Sequence, residues 1–563
     1  MSCPRANRFL CLLFVAATFQ GVSARQSASH DDMAAETLGK VSFPISCSSE
    51  VQQEFETGVA ALHSFEYESA IRHFQDVLQR DPNCAMAYWG EAMSLYHQLW
   101  NPPSEKDLSE GWQYIGKAGS ATNLSSRERG FLRALRIFYK PGNQSAYDRA
   151  KAYSQAMREL HHQYPSDEEA TIFYALSLLA AAPPGDTSLE SSRKAVTLLN
   201  GVLLADPEHP GVAHYLIHAC DNPTMAKDGL EAAKRYARIA PSSPHALHMP
   251  SHIFARLGLW QDDISSNLAA VSAARKNQSA AEQRLHPMDF LEYAYLQTGQ
   301  IDQAREIEAA AVGTENRGFT RGLESYFFYA QAHFPALLAL ETRDWNMAKS
   351  LQPVPGAKPG TQAITFWVQA IGASRAGDMS RARAAVQHLD EALAADEKQH
   401  PGMPRPPVDA RRNEAHAWLA FAEKNNAEAF RLLKAIIGYQ DRVGKGEVEL
   451  PAREMYADML LELNRPSEAL EQYRLSLKSD PNRFHGLYGA AHSAELADQP
   501  AVAAKYYKQL LDNCARASNP PRPELQHAKR FVTQTAHEEG SRFEPLNASL
   551  RCASFASNFC SRP

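Results

Sequence analysis

An all-α solenoid of antiparallel helix pairs is the fold class that the sequence predicts, and three observations carry it. His218, His252 and His286 stand 34 residues apart, and His214 and His248 repeat that interval one helical turn earlier; this is the length of a helix-turn-helix repeat unit. The anchors Ala469, Tyr473 and Pro481 occupy the same relative positions as Ala70, Phe74 and Pro82, and Ala503 with Tyr507 follow a further 34 residues on. No window shows the period-two alternation or the turn chemistry of a β-hairpin. At 563 residues the chain exceeds what one hydrophobic core organises, so it is expected to grow by adding units.

Taken in order, residues 1–24 read as an export signal. Arg5 and Arg8 precede an apolar run from Phe9 to Phe19, and Val22, Ser23 and Ala24 offer small residues for cleavage. The run is too short to span a bilayer, and no later window resembles a transmembrane helix. Residues 25–50 are a polar linker. An N-terminal helical region, 51–190, opens with Gly58, Ala70, Phe74 and Pro82 at the small, small, aromatic and proline positions of a repeat. The small residues let two helices approach, the aromatic fills the gap, and the proline ends the second helix. Residues 191–310 form central, histidine-rich repeats anchored by Ala195, Leu199 and Pro207, then Ala232, Tyr236 and Pro244. Residues 311–450 are degenerate helical repeats, with Pro/Gly-rich loops expected at 353–360 and 401–407. The clearest tandem pair is 451–515, and 516–563 reads as a tail without its own core.

Hydrophobic residues make up 44% and charged residues 22%, which is ordinary for a folded soluble protein. A net charge of −6 without a long Lys/Arg run leaves no electrostatic footprint for nucleic acid. A phosphate-cradling loop, a nucleophile elbow and a dinucleotide fingerprint are all missing, so no nucleotide cofactor is expected. Signal cleavage would leave Cys47, Cys84, Cys220, Cys514, Cys552 and Cys560, an even number for an oxidising compartment. Cys47 precedes the first helix of the first pair and Cys84 follows the second. The outer ends of such a pair lie together, so a Cys47–Cys84 disulfide is expected, with bridges among Cys514, Cys552 and Cys560 tying down the tail. Cys220, two residues from His218, points to another helical face and reads as a core thiol.

The repeat anchors, with the segments CAMAYWGEAMSLYHQLW, HPGVAHYLIHACDNP, PHALHMPSHIFARLGLW and PNRFHGLYGAAHSAE, resemble tetratricopeptide-repeat proteins over roughly residues 51 to 515. The resemblance is to exported, mostly bacterial members without an assigned role. It implies a tetratricopeptide-like right-handed α-solenoid with degenerate central repeats, and a concave groove that docks a protein or peptide.

Seven of the 21 histidines fall between His209 and His286. Equivalent positions on consecutive first helices of such a solenoid face one cavity. His214 and His218 share a helical face, which Asp221 continues; His248 and His252 repeat the pair, with His245 just before it; His286 adds a third rung, followed by Asp289 and Tyr293. Imidazole suits zinc, iron and copper, and three or four ligands make a site. The candidate ligands of a divalent transition metal are therefore His214, His218, His248, His252 and His286, with Asp221 and Asp289 as candidate catalytic groups that orient a ligand or move a proton. Pro250 is expected to start a helix, leaving His248 in its lead-in. The pairs lack the Glu of the HExxH zinc-protease pattern. The competing reading is that these histidines pack or line a peptide groove, and His63 and His97, also 34 apart, read as structural. Two function classes follow: a secreted or periplasmic scaffold binding a protein or peptide, its cluster holding metal or shaping the groove, or a metal-dependent hydrolase or oxygenase. A third use of the metal would be to stiffen the solenoid.

Overall fold

The structure, a computed structural model, describes residues 36–542 except 100, 101, 184, 400–405 and 447. The expected export signal, Cys552 and Cys560 lie outside the described residues. Among the described residues every regular element is a helix, and consecutive helices pack against one another in pairs from Gln52–His63 with Tyr67–Arg80 to Phe484–Leu496 with Pro500–Asn513. No helix among them is long and apolar enough to cross a membrane.

The anchors act as their spacing requires. A methyl group on Gly58 would sit 2.8 Å from the Phe74 ring and one on Gly90 2.5 Å from it, and Phe74 is wholly buried. Three helices thus close on one ring because two of them present a bare backbone. Gly489 meets the Tyr473 ring in the same way in the C-terminal pair, where Ala469, Ala503 and Tyr507 are also buried. Cys47 and Cys84 are bonded, sulfur to sulfur at 2.11 Å, stapling the first helix pair as expected. Cys514 is a free thiol buried against the Gln297 carbonyl, and the other two cysteines of the expected tail bridges lie outside the described residues.

The region after residue 98, where repeat anchors are sparse, carries four helices with their own start signals. Ser104 with Asp107 and Ser125 with Glu128 form reciprocal capping boxes before Glu105–Ala118 and Ser126–Tyr139. Ser145 and Asp167 cap Ala146–Gln163 and Glu168–Ala180. The proline-rich stretches expected as loops are partly helix starts, since Pro359–Arg375 and Pro406–Ala422 begin inside them. Proline suits a first helical turn, where its missing N–H has no partner to lose. Beyond residue 516 a further helix, Pro523–Arg542, buries Leu525 and Ala528 in the same core as Tyr507 and Cys514.

Both arms of the solenoid fold onto its centre. Gln52–His63 packs against Pro210–Cys220, and Phe484–Leu496 against Glu282–Gln297. Ser243 donates to Glu66 at 2.6 Å on one side. On the other, the Trp260 indole donates to the Asn482 carbonyl at 2.8 Å, and the buried Arg483 guanidinium joins Glu341 and Glu454 at 2.9 and 2.8 Å. The histidine-bearing repeats are therefore contacted from both sides by segments distant in the chain.

Replacing Gly90 with Ala should cost about 1–3 kcal/mol by overpacking Phe74, measured as a lower denaturation midpoint. Glu128 supplies a pH test. Burial disfavours its ionisation, but hydrogen bonds from Ser125 and Ser46 outweigh that and hold its carboxyl below the ordinary 4.5. A depressed carboxyl stabilises the fold above its unfolded value, and the benefit fades as pH falls through the folded one. The stability gap between the wild type and Glu128→Gln, wide at neutral pH, should therefore narrow in acid, as read by melts across that range.

Candidate metal centre

Three consecutive repeats supply six imidazoles in two groups. Helix Pro210–Cys220 places His214 and His218 one turn apart, with their Nε2 atoms 3.1 Å from each other. The next repeat enters through Pro244–His248, whose His245 brings its Nε2 to 3.1 Å from that of His214. Met249 keeps right-handed helical angles (φ −51°, ψ −34°) between this helix and the next, Pro250–Leu257, which starts at Pro250. His248 closes the short helix that leads into it, as expected. It stays one turn from His252, Nε2 to Nε2 at 3.0 Å. His286, on Glu282–Gln297, sets its ring 4.4 Å from that of His248 and 5.8 Å from that of His252. Within each triad, His214, His218 and His245 or His248, His252 and His286, one ligand atom per residue falls within 4.8 Å of the others. Each triad takes a pair from one repeat and its third ring from the next.

The outer nitrogens fix which way the rings present their lone pairs. His214 donates from Nδ1 to the His63 carbonyl at 2.6 Å. His252 donates from Nδ1 to Asp221 at 2.9 Å, and the other oxygen of that carboxylate takes Arg256 at 2.8 Å. His248 Nδ1 lies 2.6 Å from Asn267 Oδ1, and the Asn267 amide nitrogen donates to the carbonyl and carboxyl of Asp263 at 3.0 and 2.8 Å. The amide oxygen is thereby committed to His248, which must donate. His286 Nδ1 meets the Tyr326 hydroxyl at 3.2 Å. A hydrogen-bond network of this kind assigns the tautomers: His214, His248 and His252 carry their protons on Nδ1 and turn bare Nε2 lone pairs inward. Two such lone pairs face each other between His248 and His252, where neutral rings can form no hydrogen bond.

Protonation does not relieve this conflict cheaply. Burial, and then repulsion from neighbouring imidazoles, pulls His214, His218, His245 and His248 well below the ordinary 6.5, and His286 down to about 4. A phenyl ring walls each triad: Phe65 lies 4.4 Å from His214 and 5.6 Å from His245, and Phe290 lies 4.9 and 4.7 Å from His248 and His252. Phe65 holds its place with φ at +54°, a conformation rarely adopted by a bulky residue. Beside the second triad lies a small cavity lined by His252, Arg256, Tyr293, Lys445, Asp480 and Arg483.

The five histidines singled out from sequence all lie in the cluster. The structure adds His245, which sequence spacing left as a neighbour. Asp221 stands behind His252 as an orienting partner, held in its ionised form, against the cost of burial, by Arg256 and His252. Asp289 is turned elsewhere, with Tyr329 donating to it at 3.1 Å and His333 3.2 Å away. The His63 ring nitrogens meet Tyr215 and Glu169 at 2.9 Å each, and Glu169 also holds His209 at 3.0 Å, so His63, Glu169 and His209 form another buried group whose ligand atoms lie within 4.8 Å of one another. The His63 ring fixes the carbonyl on which His214 leans. Cys220 is a core thiol, pushed up to about 12 by burial. A separate, half-buried group of His492, Glu495 and His527 lies near the C-terminus, with Glu495 accepting from Tyr507 at 2.6 Å.

No protein-family model and no curated protein matches the chain. Solved structures similar to it include a tetratricopeptide repeat protein from Parabacteroides merdae ATCC 43184, 13% identical over 53% of this chain and 99% of that one, with a TM-score of 0.28. Human IFIT1, solved as a dimer with m7Gppp-AAAA, is 12% identical over 81% and 89% of the two chains, with a TM-score of 0.36. Yeast Tom70 is 14% identical over 87% and 89%, with a TM-score of 0.26. Superpositions this loose transfer no site and no partner. On the pairing of its own helices the chain is an all-α, tetratricopeptide-like repeat protein.

Proposed function

We propose that the protein is a metalloprotein whose central repeats bind transition-metal ions on His214, His218, His245, His248, His252 and His286. One observation carries the reading: the Nε2 atoms of His248 and His252 stand 3.0 Å apart, each with its proton committed to the far side of the ring. A cation resolves two facing lone pairs, and burial argues against that cation being a proton. The partners behind the rings, a carbonyl, an amide oxygen and a carboxylate, are those that orient histidine ligands and raise their basicity. Neutral nitrogen donors suit zinc, copper or iron. Three protein ligands per triad leave a coordination position open, the arrangement of a site that does chemistry. This favours a metal-dependent enzyme over a metal that only stiffens the solenoid.

A second reading is docking of a protein or peptide on the helical repeats, and the two differ in what chelation does. Partner binding by a scaffold persists in chelator; metal-dependent chemistry is lost there and returns with the right ion. We further take the protein to be exported, a reading supported by the Cys47–Cys84 disulfide, which an oxidising compartment sustains.

Elemental analysis of protein purified without a histidine tag should find a transition metal, and less than about a tenth of an equivalent would end the metal reading. Asp221→Asn should weaken metal binding by about 10–100-fold while leaving the inner ligands in place, measured by competition with a chelating dye. Chelation should lower the melting temperature, and returning the metal should restore it.

A further inference from the structure

The two triads are near enough to be one object. The rings of His218 and His252 are 6.1 Å apart and those of His245 and His248 6.2 Å, against 5.8 Å for His252 and His286 inside a single triad. His245 and His248 also belong to one short helix, Pro244–His248, so neither site can shift without the other. Resting on the metal reading above, we propose that the triads hold a pair of copper ions that work as one dinuclear centre and take up dioxygen between them.

The donor set selects the metal. All six inner ligands are neutral. Of the nearby carboxylates, Asp221 is matched by Arg256, and Asp289 faces Tyr329 and His333. A pair of divalent ions would bring four positive charges into a buried site with little to balance them, which is costly. A pair of Cu(I) ions brings half that charge, and copper tops the order of divalent affinity for nitrogen ligands once oxidised. Hard ions that depend on carboxylate oxygens are poorly suited to the six imidazoles that make up the two triads.

Dioxygen fits the same charge balance. Each Cu(I) gives up one electron and becomes Cu(II); dioxygen gains both, its O–O double bond becomes a single bond, and peroxide remains between the metals. The two positive charges gained by copper are matched by the two negative charges of peroxide. No proton and no outside reductant enters, and release of dioxygen runs the step backwards. Phe65 and Phe290 wall the two triads with apolar surface, which favours a neutral gas over water as the entering molecule.

The test uses the full chain, stripped of metal, loaded with Cu(I) under inert gas and then exposed to dioxygen. Expected are two coppers per chain, one dioxygen taken up per copper pair, a new near-ultraviolet absorption band, and no Cu(II) resonance signal, because paired spins cancel. Removing dioxygen should reverse the absorption. His218→Ala and His286→Ala, one in each triad, should each lose one of the two coppers, lose dioxygen uptake, and show the resonance of an isolated Cu(II) after oxidation, with circular dichroism confirming that each variant is folded. A wild type that holds one copper, or two that both give isolated resonances, overturns the dinuclear centre and leaves the metal reading standing. Retention of two zinc ions in preference to copper overturns the choice of metal. Failure to hold any transition metal overturns both readings.

Discussion

The structure's central constraint is where three of the six clustered imidazoles are made to keep their protons. A histidine ring left to itself exchanges tautomers and settles whichever nitrogen meets an acceptor. Here the acceptors stand behind the rings: the His63 carbonyl, the Asn267 amide oxygen and the Asp221 carboxylate. Lone pairs are thereby driven together in a buried place where water and protons are poor remedies. The conflict exists because the helices around it hold the rings in place. Asn267 is fixed by Asp263, Asp221 by Arg256, and the His63 carbonyl by a ring clamped between Tyr215 and Glu169.

The repeat architecture explains how such a cluster arises. A helix pair that recurs every 34 residues returns the same two positions to the same interior line, so a single HxxxH pair becomes a ladder when the unit is copied. Proline marks the start of the segments bearing the first two pairs, at Pro210, Pro244 and Pro250, and Pro287 follows His286 inside its helix. The arms then contact the ladder's repeats from both sides. The first pair packs on Pro210–Cys220, and the segment preceding Phe484–Leu496 meets Trp260 and Tyr293.

Periodicity made the fold legible, because Ala70, Phe74 and their counterparts are selected by packing that repeats with the chain. The capping boxes at Ser104 and Ser125 went unread, because their signal is a local spacing of Ser with Asp or Glu that is easily lost beside missing anchors. The cluster was half legible. His245 lies three residues before His248, about five-sixths of a helical turn, so its side chain aims back at the preceding repeat instead of joining its own rung. Asp221 was noticed as an extension of the His214 face, yet it ends that helix and serves His252, 31 residues later. Asp289 lies on the right helix, but its partners are on Ser325–Glu341. No local pattern announces that the carbonyl of His63 would turn a ring 151 residues further along.

That last contact sets the order in which the molecule matures. The central repeats carry the ligands, but His214 is oriented by a backbone group at the end of the first helix, in a pair stapled by Cys47 and Cys84. An unfolded chain would therefore possess every donor and still lack the geometry. On the proposed metal reading, ion capture waits until the first helix pair has docked on Pro210–Cys220, so a loaded centre reports that this distant contact has formed.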